Sequence, residues 1–347
     1  VDLDVLVAGA RAGDPRSVGR LITLVEDGAP QLRALMAALA ELVGQAGGGR
    51  AAADEVGGDP VGGDAAPQGT TGVGRAHIVG LTGAPGVGKS TTTSALVRSY
   101  REAGRRVGVL AVDPSSPFSG GALLGDRIRM QEHATDPEVF IRSMASRGHL
   151  GGLASATPQA VRVLEAAGCD PILVETVGVG QSEVEVAGEA DTTIVLLAPG
   201  MGDGIQAAKA GILEVGDIFV VNKADRDGAD QTARELRHMI SLGVSGKDTA
   251  AWRPPVLKVV ASRGEGIDKL VHALDEHRAW LDSSGAGIER RRQRARTEIQ
   301  GIALAALQAR FGGVEGGSQL DALASEVADG RTDAFSAADR IVASVTG

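Results

Sequence analysis

Cysteine is almost missing from this sequence: Cys169 is the single one in 347 residues. No disulfide can form within the chain, and one thiol cannot build a cysteine-based zinc site. Aromatic residues reach only 2%, too few for the stacking platforms that hold single-stranded nucleic acid. Positive charge is in deficit as well. A formal net charge of −9 argues against a nucleic-acid partner, because phosphate neutralisation dominates that kind of affinity. Long apolar runs are lacking: Ile194 to Ala198 is among the strongest, far below the ~20 residues of a membrane-crossing helix. The opening VDLDVLVAGARAGDP has no basic region followed by an apolar stretch, so it does not read as a secretory signal. Together these absences predict a soluble, cytoplasmic protein without membrane or nucleic acid among its partners.

Glycine is the excess, at 50 of 347 residues, about twice the usual ~7%. With no G-X-Y period, it belongs to loops and linkers. Hydrophobic residues at 43% and charged residues at 23% are ordinary for a globular chain with a sizeable core. The length gives roughly two domains at ~150 residues each.

Residues 1–43 read as a helical segment. Leu32, Leu35, Met36, Leu39, Leu42 and Val43 form one stripe at helical spacing, and Asp14-Pro15 offers an N-cap followed by a proline at the first helical position. Residues 44–75 hold 11 glycines, Pro60, Pro67 and no aromatic, the composition of a flexible linker. From residue 76 to 282 the pattern alternates strand and helix, with apolar runs at 77–82, 107–112, 172–174, 193–197, 218–221 and 256–261. That alternation predicts an α/β domain with a mostly parallel sheet covered by helices on both faces. In this class ligands bind at the carboxyl ends of the strands. Residues 283–347 read as a C-terminal helical extension with helices near 288–311, 320–328 and 334–345.

GAPGVGKS at 83–90 follows one apolar run and opens a helix, as a phosphate-binding loop requires. Gly83, Gly86 and Gly88 free the backbone to aim successive N–H groups at phosphate oxygens, with Val87 and Thr91 completing the cradle. Lys89 is placed to neutralise the β- and γ-phosphates, and the Ser90 hydroxyl suits Mg²⁺. NKAD at 222–225 follows another strand. An aspartate at position 225 can accept from guanine N1–H and its exocyclic amine, whereas adenine would leave it unpaired. Such polar pairing can reject the wrong base ~10⁴-fold or more. Asn222 would brace this loop and Lys223 would lay its stem over the base. Glu175 ends the run ILVE ahead of TVGVG, where a carboxylate can hold Mg²⁺ directly or through water. Gly178 supplies an N–H toward the γ-phosphate. Asp113 and Asp126 are further candidates for metal binding or for positioning the attacking water.

Taken together, GAPGVGKST, VDPSSPFSGGALLGDRIRM, SRGHLGGL, ETVGVGQSE, GDGIQAAKAGI and NKAD resemble the methylmalonyl-CoA mutase-associated GTPases, the MeaB/ArgK group of P-loop G proteins. The resemblance runs through roughly residues 76–282. It implies a GTP-hydrolysing chaperone of an adenosylcobalamin-dependent acyl-CoA mutase that gates cofactor loading and protects the mutase, touching adenosylcobalamin only through that partner. It also implies homodimers formed through the C-terminal helices. Carried onto this chain, it gives Lys89, Asp126 and Glu175 catalytic roles and makes Ser90, Asp113, Asp126 and Glu175 the Mg²⁺ and water group. Asp203, Gln206 and Lys209 fall in a partner-sensing loop. Asn222, Lys223 and Asp225 hold guanine, and Ala261 and Ser262 back the base.

No glutamine adjoins Gly178, since Gln181 lies three residues further on, and Ala84-Pro85 stands where partition-type ATPases carry a lysine. Slow intrinsic turnover is therefore expected, rising when a partner orders residues 113–130 and 178–206. Two other readings share the nucleotide site. One is a nickel-insertion GTPase, which needs His or Cys ligands, whereas His77, His133, His149, His238, His272 and His277 are scattered. The other is a kinase linked to basic amino-acid transport. The run ERRRQRAR at 289–296 reads as a solvated or dimer-facing helix side rather than a nucleic-acid patch.

Overall fold

The computed structural model describes residues 2–51, 75–114, 130–133, 135–146, 156–176, 188–200, 213–243, 251–313 and 316–346. Two units emerge, residues 1–291 and 292–347.

The first unit is built on a seven-stranded sheet of β1 (Ile78–Thr82), β2 (Val107–Pro114), β3 (Val139–Ser146), β4 (Ile172–Thr176), β5 (Thr192–Leu197), β6 (Ile218–Val221) and β7 (Val256–Lys258). Its order is β3-β2-β4-β1-β5-β6-β7, and every neighbouring pair is parallel. Central strands are apolar on both faces because helices cover both. In β1, Ile78 joins one core while Val79 and Leu81 join the other; in β4, Ile172 and Val174 face one way and Leu173 the other. β1 is the pivot. The chain leaves it toward β2, β3 and β4 on one side, then crosses to β5, β6 and β7 on the other. Such a reversal opens a crevice at the carboxyl ends of the strands.

The edge strand β3 is not among the six apolar runs of the sequence. Its apolar stretch is cut by Arg142, whose guanidinium pairs with Glu26 and lies 3.2 Å from the Thr23 hydroxyl.

One face of the sheet carries α1 (Leu3–Arg11), α2 (Pro15–Glu26), α3 (Leu32–Ala51) and α5 (Thr157–Ala166). Asp14 caps α2 by accepting from the amides of Arg16 and Ser17 at 3.3 and 3.0 Å, with Pro15 at the first position. Val18, Leu21, Leu35 and Leu39 pack into the same core as β2 and β4. The N-terminal helices thus share a core with the sheet. Helix α3 also continues to Ala51, into the stretch expected to be linker from residue 44; the rest of that stretch, 52–74, lies outside the described residues. The opposite face carries α4 (Lys89–Glu102) and α7 (Ile267–Ser284), and α6 (Ala229–Gly243) covers β5 and β6.

α8 (Ala286–Gly313) begins in the first unit and ends in the second. The start of α8, up to Arg291, belongs to the first unit. The Arg290 guanidinium donates to both Asp217 carboxylate oxygens at 2.8 and 2.7 Å and to the Asp191 carbonyl at 2.7 Å. One arginine of the basic run is therefore spent inside the first unit rather than on a solvated helix side. The second unit holds the remainder of α8 with α9 (Gly316–Ala328) and α10 (Ala334–Thr346). Among the described residues, no helix is long and apolar enough to cross a membrane.

Candidate nucleotide-binding site

Between β1 and α4 the backbone takes conformations that a Cβ would forbid. Gly83 has φ +140°, and a Cβ there would sit 2.3 Å from the Leu196 carbonyl of β5. Gly88 has φ +97°, and its Cβ would sit 2.3 Å from Asn222 Nδ2. The loop is drawn tight against the sheet and ends at the amino terminus of α4, where unpaired N–H groups and the helix dipole favour an anion. Lys89, the first residue of α4, is buried and returns over the loop, donating to the Gly83 and Ala84 carbonyls at 2.6 and 3.2 Å. Val87 is buried, Gly86 adopts φ +80°, and Thr91 is exposed in the first turn of the helix.

At the second residue of α4, the Ser90 hydroxyl donates to Glu175 Oε1 at 2.6 Å. The Thr93 hydroxyl lies 2.9 Å from Glu175 Oε2 and 3.1 Å from the Lys89 carbonyl. Glu175 is buried near the end of β4. Strands β1 and β4 run side by side in register, Leu81 opposite Glu175, which places this carboxylate beside the phosphate loop. Thr93 was not singled out from the sequence, although its i+3 spacing from Ser90 puts both hydroxyls on one helix face. Hard oxygen donors of this kind, a hydroxyl and a carboxylate held together, suit a Mg²⁺ that keeps several waters.

The loop after β6 forms the third part. The Asn222 side chain donates to the Val87 carbonyl at 2.8 Å and accepts from the amides of Lys223 at 2.8 Å and Ala261 at 3.1 Å. This one buried amide thereby ties the phosphate loop to the turn Ala261–Arg263. Lys223 takes φ +57°, uncommon for a residue with a Cβ, and its ammonium reaches the Gly86 carbonyl at 2.7 Å. Asp225 sits on the exposed side of the same loop, with Oδ2 2.7 Å from Arg263 Nη2. Ala261 is buried and Ser262 exposed in the facing turn. Arg263 is the second residue that sequence reasoning passed over, and nothing in VVASRGEGI marks it.

Other candidates stand apart. Asp113 lies at the end of β2, opposite Ala145 of β3, and its side chain is outside the description. Asp126, Gly178, Asp203, Gln206 and Lys209 lie outside the described residues. Of the six histidines, His77 and His277 come together at the opposite end of the sheet, the Thr192 hydroxyl 2.7 Å from a ring nitrogen of each. Among the described residues no group of three or more His, Cys, Asp and Glu is arranged to hold a metal.

A strand-loop-helix phosphate cradle joined through one asparagine to an NKAD loop and its facing turn, on a parallel sheet, defines a P-loop nucleoside triphosphatase of the guanine-nucleotide kind. Comparison with known proteins agrees. The family model described as "Methylmalonyl Co-A mutase-associated GTPase MeaB" matches residues 68–315, and the chain belongs to that family. It is a GTPase and binds guanine nucleotides. A Pyrococcus horikoshii protein named as a candidate GTPase is 43% identical over 99% of both chains. The "Methylmalonic aciduria type A homolog, mitochondrial" of Mus musculus is 41% identical over 60% of this chain and 50% of its own length. A solved structure titled "Crystal structure of LAO/AO transport system kinase" superposes with a TM-score of 0.64 at 25% identity, covering 99% of this chain and 98% of that one.

Proposed function

We propose that this GTPase works with Mg²⁺ as the chaperone of an adenosylcobalamin-dependent acyl-CoA mutase, gating cofactor loading and protecting the mutase. It would meet adenosylcobalamin only through that partner, act in the cytoplasm and assemble as a homodimer. Family membership over residues 68–315 supports the choice of partner class. For the nucleotide chemistry one observation carries the reading: Ser90, Glu175 and Lys89 converge on a single loop, with Asn222 linking that loop to the base turn.

GTP hydrolysis is chiefly positioning and charge neutralisation on the transferring phosphoryl group. In this reading, the amides of residues 83–91 and the Lys89 ammonium hold the triphosphate oxygens. Ser90 and Glu175 would hold Mg²⁺, which when bound offsets charge developing between the β- and γ-phosphates. Both Glu175 oxygens face α4 hydroxyls, an argument for assigning it to the metal side and Asp126 to the attacking water. Asp113 is assigned to the metal's water shell, Gly178 to the γ-phosphate and Asp203, Gln206 and Lys209 to sensing the mutase. Asn222, Lys223, Asp225, Ala261 and Ser262 form the guanine pocket.

Two experiments test this. Asp225→Asn exchanges an acceptor for an amide donor, so GTP should bind at least tenfold more weakly and xanthosine triphosphate should be preferred; unchanged preference on titration removes Asp225 from base reading. Pull-down from source lysate with GDP and with a non-hydrolysable GTP analogue should recover a cobalamin-dependent mutase in a nucleotide-dependent manner. Recovery of none in either state overturns the chaperone role. The kinase title of the structural neighbour supports a second reading, phosphotransfer from GTP, and labelled GTP with basic amino acids as acceptors would reveal it.

A further inference from the structure

We propose that Arg263 is a positioning residue for base recognition, holding the Asp225 carboxylate in the orientation that guanine meets. The inference rests on the reading of Asp225 as the guanine acceptor and adds the residue that fixes it. Arg263 Nη2 lies 2.7 Å from Asp225 Oδ2, and Arg263 Nε lies 3.4 Å from Glu265 Oε1. The guanidinium thus bridges the NKAD loop and its own turn.

That turn is a firm platform. Gly264 and Gly266 take φ +75° and +78°, and the Val260 amide donates to the Glu265 carbonyl at 2.9 Å across it. On its buried side it is fastened to the NKAD loop by Ala261 N–H to Asn222 Oδ1 at 3.1 Å and by Ala224 N–H to the Val259 carbonyl at 3.0 Å. Arg263–Asp225 is the fastening on the exposed side, where the two side chains are 53% and 43% exposed.

Guanine presents two parallel donors, and both reach a carboxylate only if its plane is held. The contact runs from Arg263 Nη2 to Asp225 Oδ2. A carboxylate offers about four lone-pair sites, so cation and base can share it. This arrangement is consistent with preorganisation rather than competition.

The test uses the full chain and its affinity for GDP and IDP, the latter lacking the 2-amino donor. Exposed ion pairs contribute little, so Arg263→Ala should weaken GDP by about two- to fivefold and narrow the GDP-over-IDP preference. With GTP, the loss should appear in KM rather than kcat. Arg263→Lys should recover part of the loss. In an Asp225→Asn background, Arg263→Ala should add nothing, because the carboxylate it positions is gone. Unchanged or tighter GDP binding by Arg263→Ala, or an equal loss in the Asp225→Asn background, overturns the proposal. If Asp225→Asn leaves base preference untouched, the base reading itself fails. If Asp225→Asn shifts preference while Arg263→Ala does nothing, only the positioning role falls.

Discussion

Asn222 is the residue on which the site's geometry turns. It is 3% exposed, and its one side-chain amide spans the Val87 carbonyl and the amides of Lys223 and Ala261. Truncation would strand buried backbone groups on two loops at once, each worth about 1–3 kcal/mol when left unpaired. Asn222→Ala should therefore lower unfolding free energy by roughly 2–4 kcal/mol and weaken both GDP and GTP, as read by urea melts and nucleotide titration. Loss of stability with nucleotide affinity intact would show that the loops hold their places without it. Glu175 poses a different question, because its charge rather than its shape is at issue. Glu175→Gln keeps an acceptor for Ser90 or Thr93 but removes the negative charge assigned to the metal. Turnover should fall at least tenfold, and the Mg²⁺ concentration for half-maximal rate should rise. A wild-type Mg²⁺ titration curve would remove Glu175 from the metal group.

Among the elements, the join of β5, α7 and the segment before β1 carries a pH dependence. His77 and His277 share the Thr192 hydroxyl, which lies 2.7 Å from Nε2 of the first and from Nδ1 of the second. The His277 ring clusters with Trp252 and Trp280, its centroid 4.6 and 5.5 Å from theirs and theirs 5.9 Å apart. Burial pulls both histidines down to about 4, although Asp191 and Asp217 act in the opposite direction. An exposed histidine titrates near 6.5, so between these values the unfolded chain binds more protons than the folded one. The contribution to stability is complete above about pH 6.5 and is lost as pH falls toward 4, reaching about 3 kcal/mol for one ring. The pair falls short of twice that because the rings are coupled through one hydroxyl. Asp170, where burial raises the carboxyl but Arg278 and the His77 amide more than offset it, contributes at lower pH and does not mask the effect. Urea midpoints should drop steeply between pH 6.5 and 4.5, and replacing both histidines with glutamine should flatten that slope. An equally steep slope in the double variant would assign it elsewhere. Most of the sheet was legible because β1, β2, β4, β5 and β6 are unbroken apolar runs with loop signals at their ends. β3 was not, since Arg142 and Ser143 break its run and its partner Glu26 is remote in sequence. The histidine pair escaped for the same reason: only the folded topology brings residues 77, 192 and 277 together. In the site, contiguous motifs marked Lys89 and Ser90 at the start of α4, Glu175 near a strand end and Asp225 in the loop after one, whereas Thr93 shows only as an i+3 neighbour of Ser90 and the contact of Arg263 follows no local pattern.

The chain as a whole is uneven in how completely it buries its apolar side chains. The first unit closes large cores on both faces of its sheet. In the second, Leu323 and Ala337 are the buried apolar side chains among the described residues, while Ile299, Ile302, Leu304, Leu307, Leu320, Phe335 and Val342 are exposed. Phe335 is 85% exposed. Single apolar residues on a surface are ordinary, but Ile299, Ile302 and Leu307 of α8 fall close to one helical stripe, and large apolar patches mark association sites. A second copy of this unit would supply the missing partner, because a two-fold interface lets the same patch serve both sides. Sedimentation of the full chain at tens of micromolar should accordingly give twice the 35.2 kDa of one chain. Leu307→Glu with Phe335→Glu should give single chains, since two carboxylates would have to be desolvated in each half of the interface. The same double variant should keep wild-type GDP affinity, because the nucleotide loops lie wholly within the first unit. A wild-type chain that sediments as a monomer, or a double variant that remains a dimer, would move the contact away from these helices and leave their exposed side chains to a different protein.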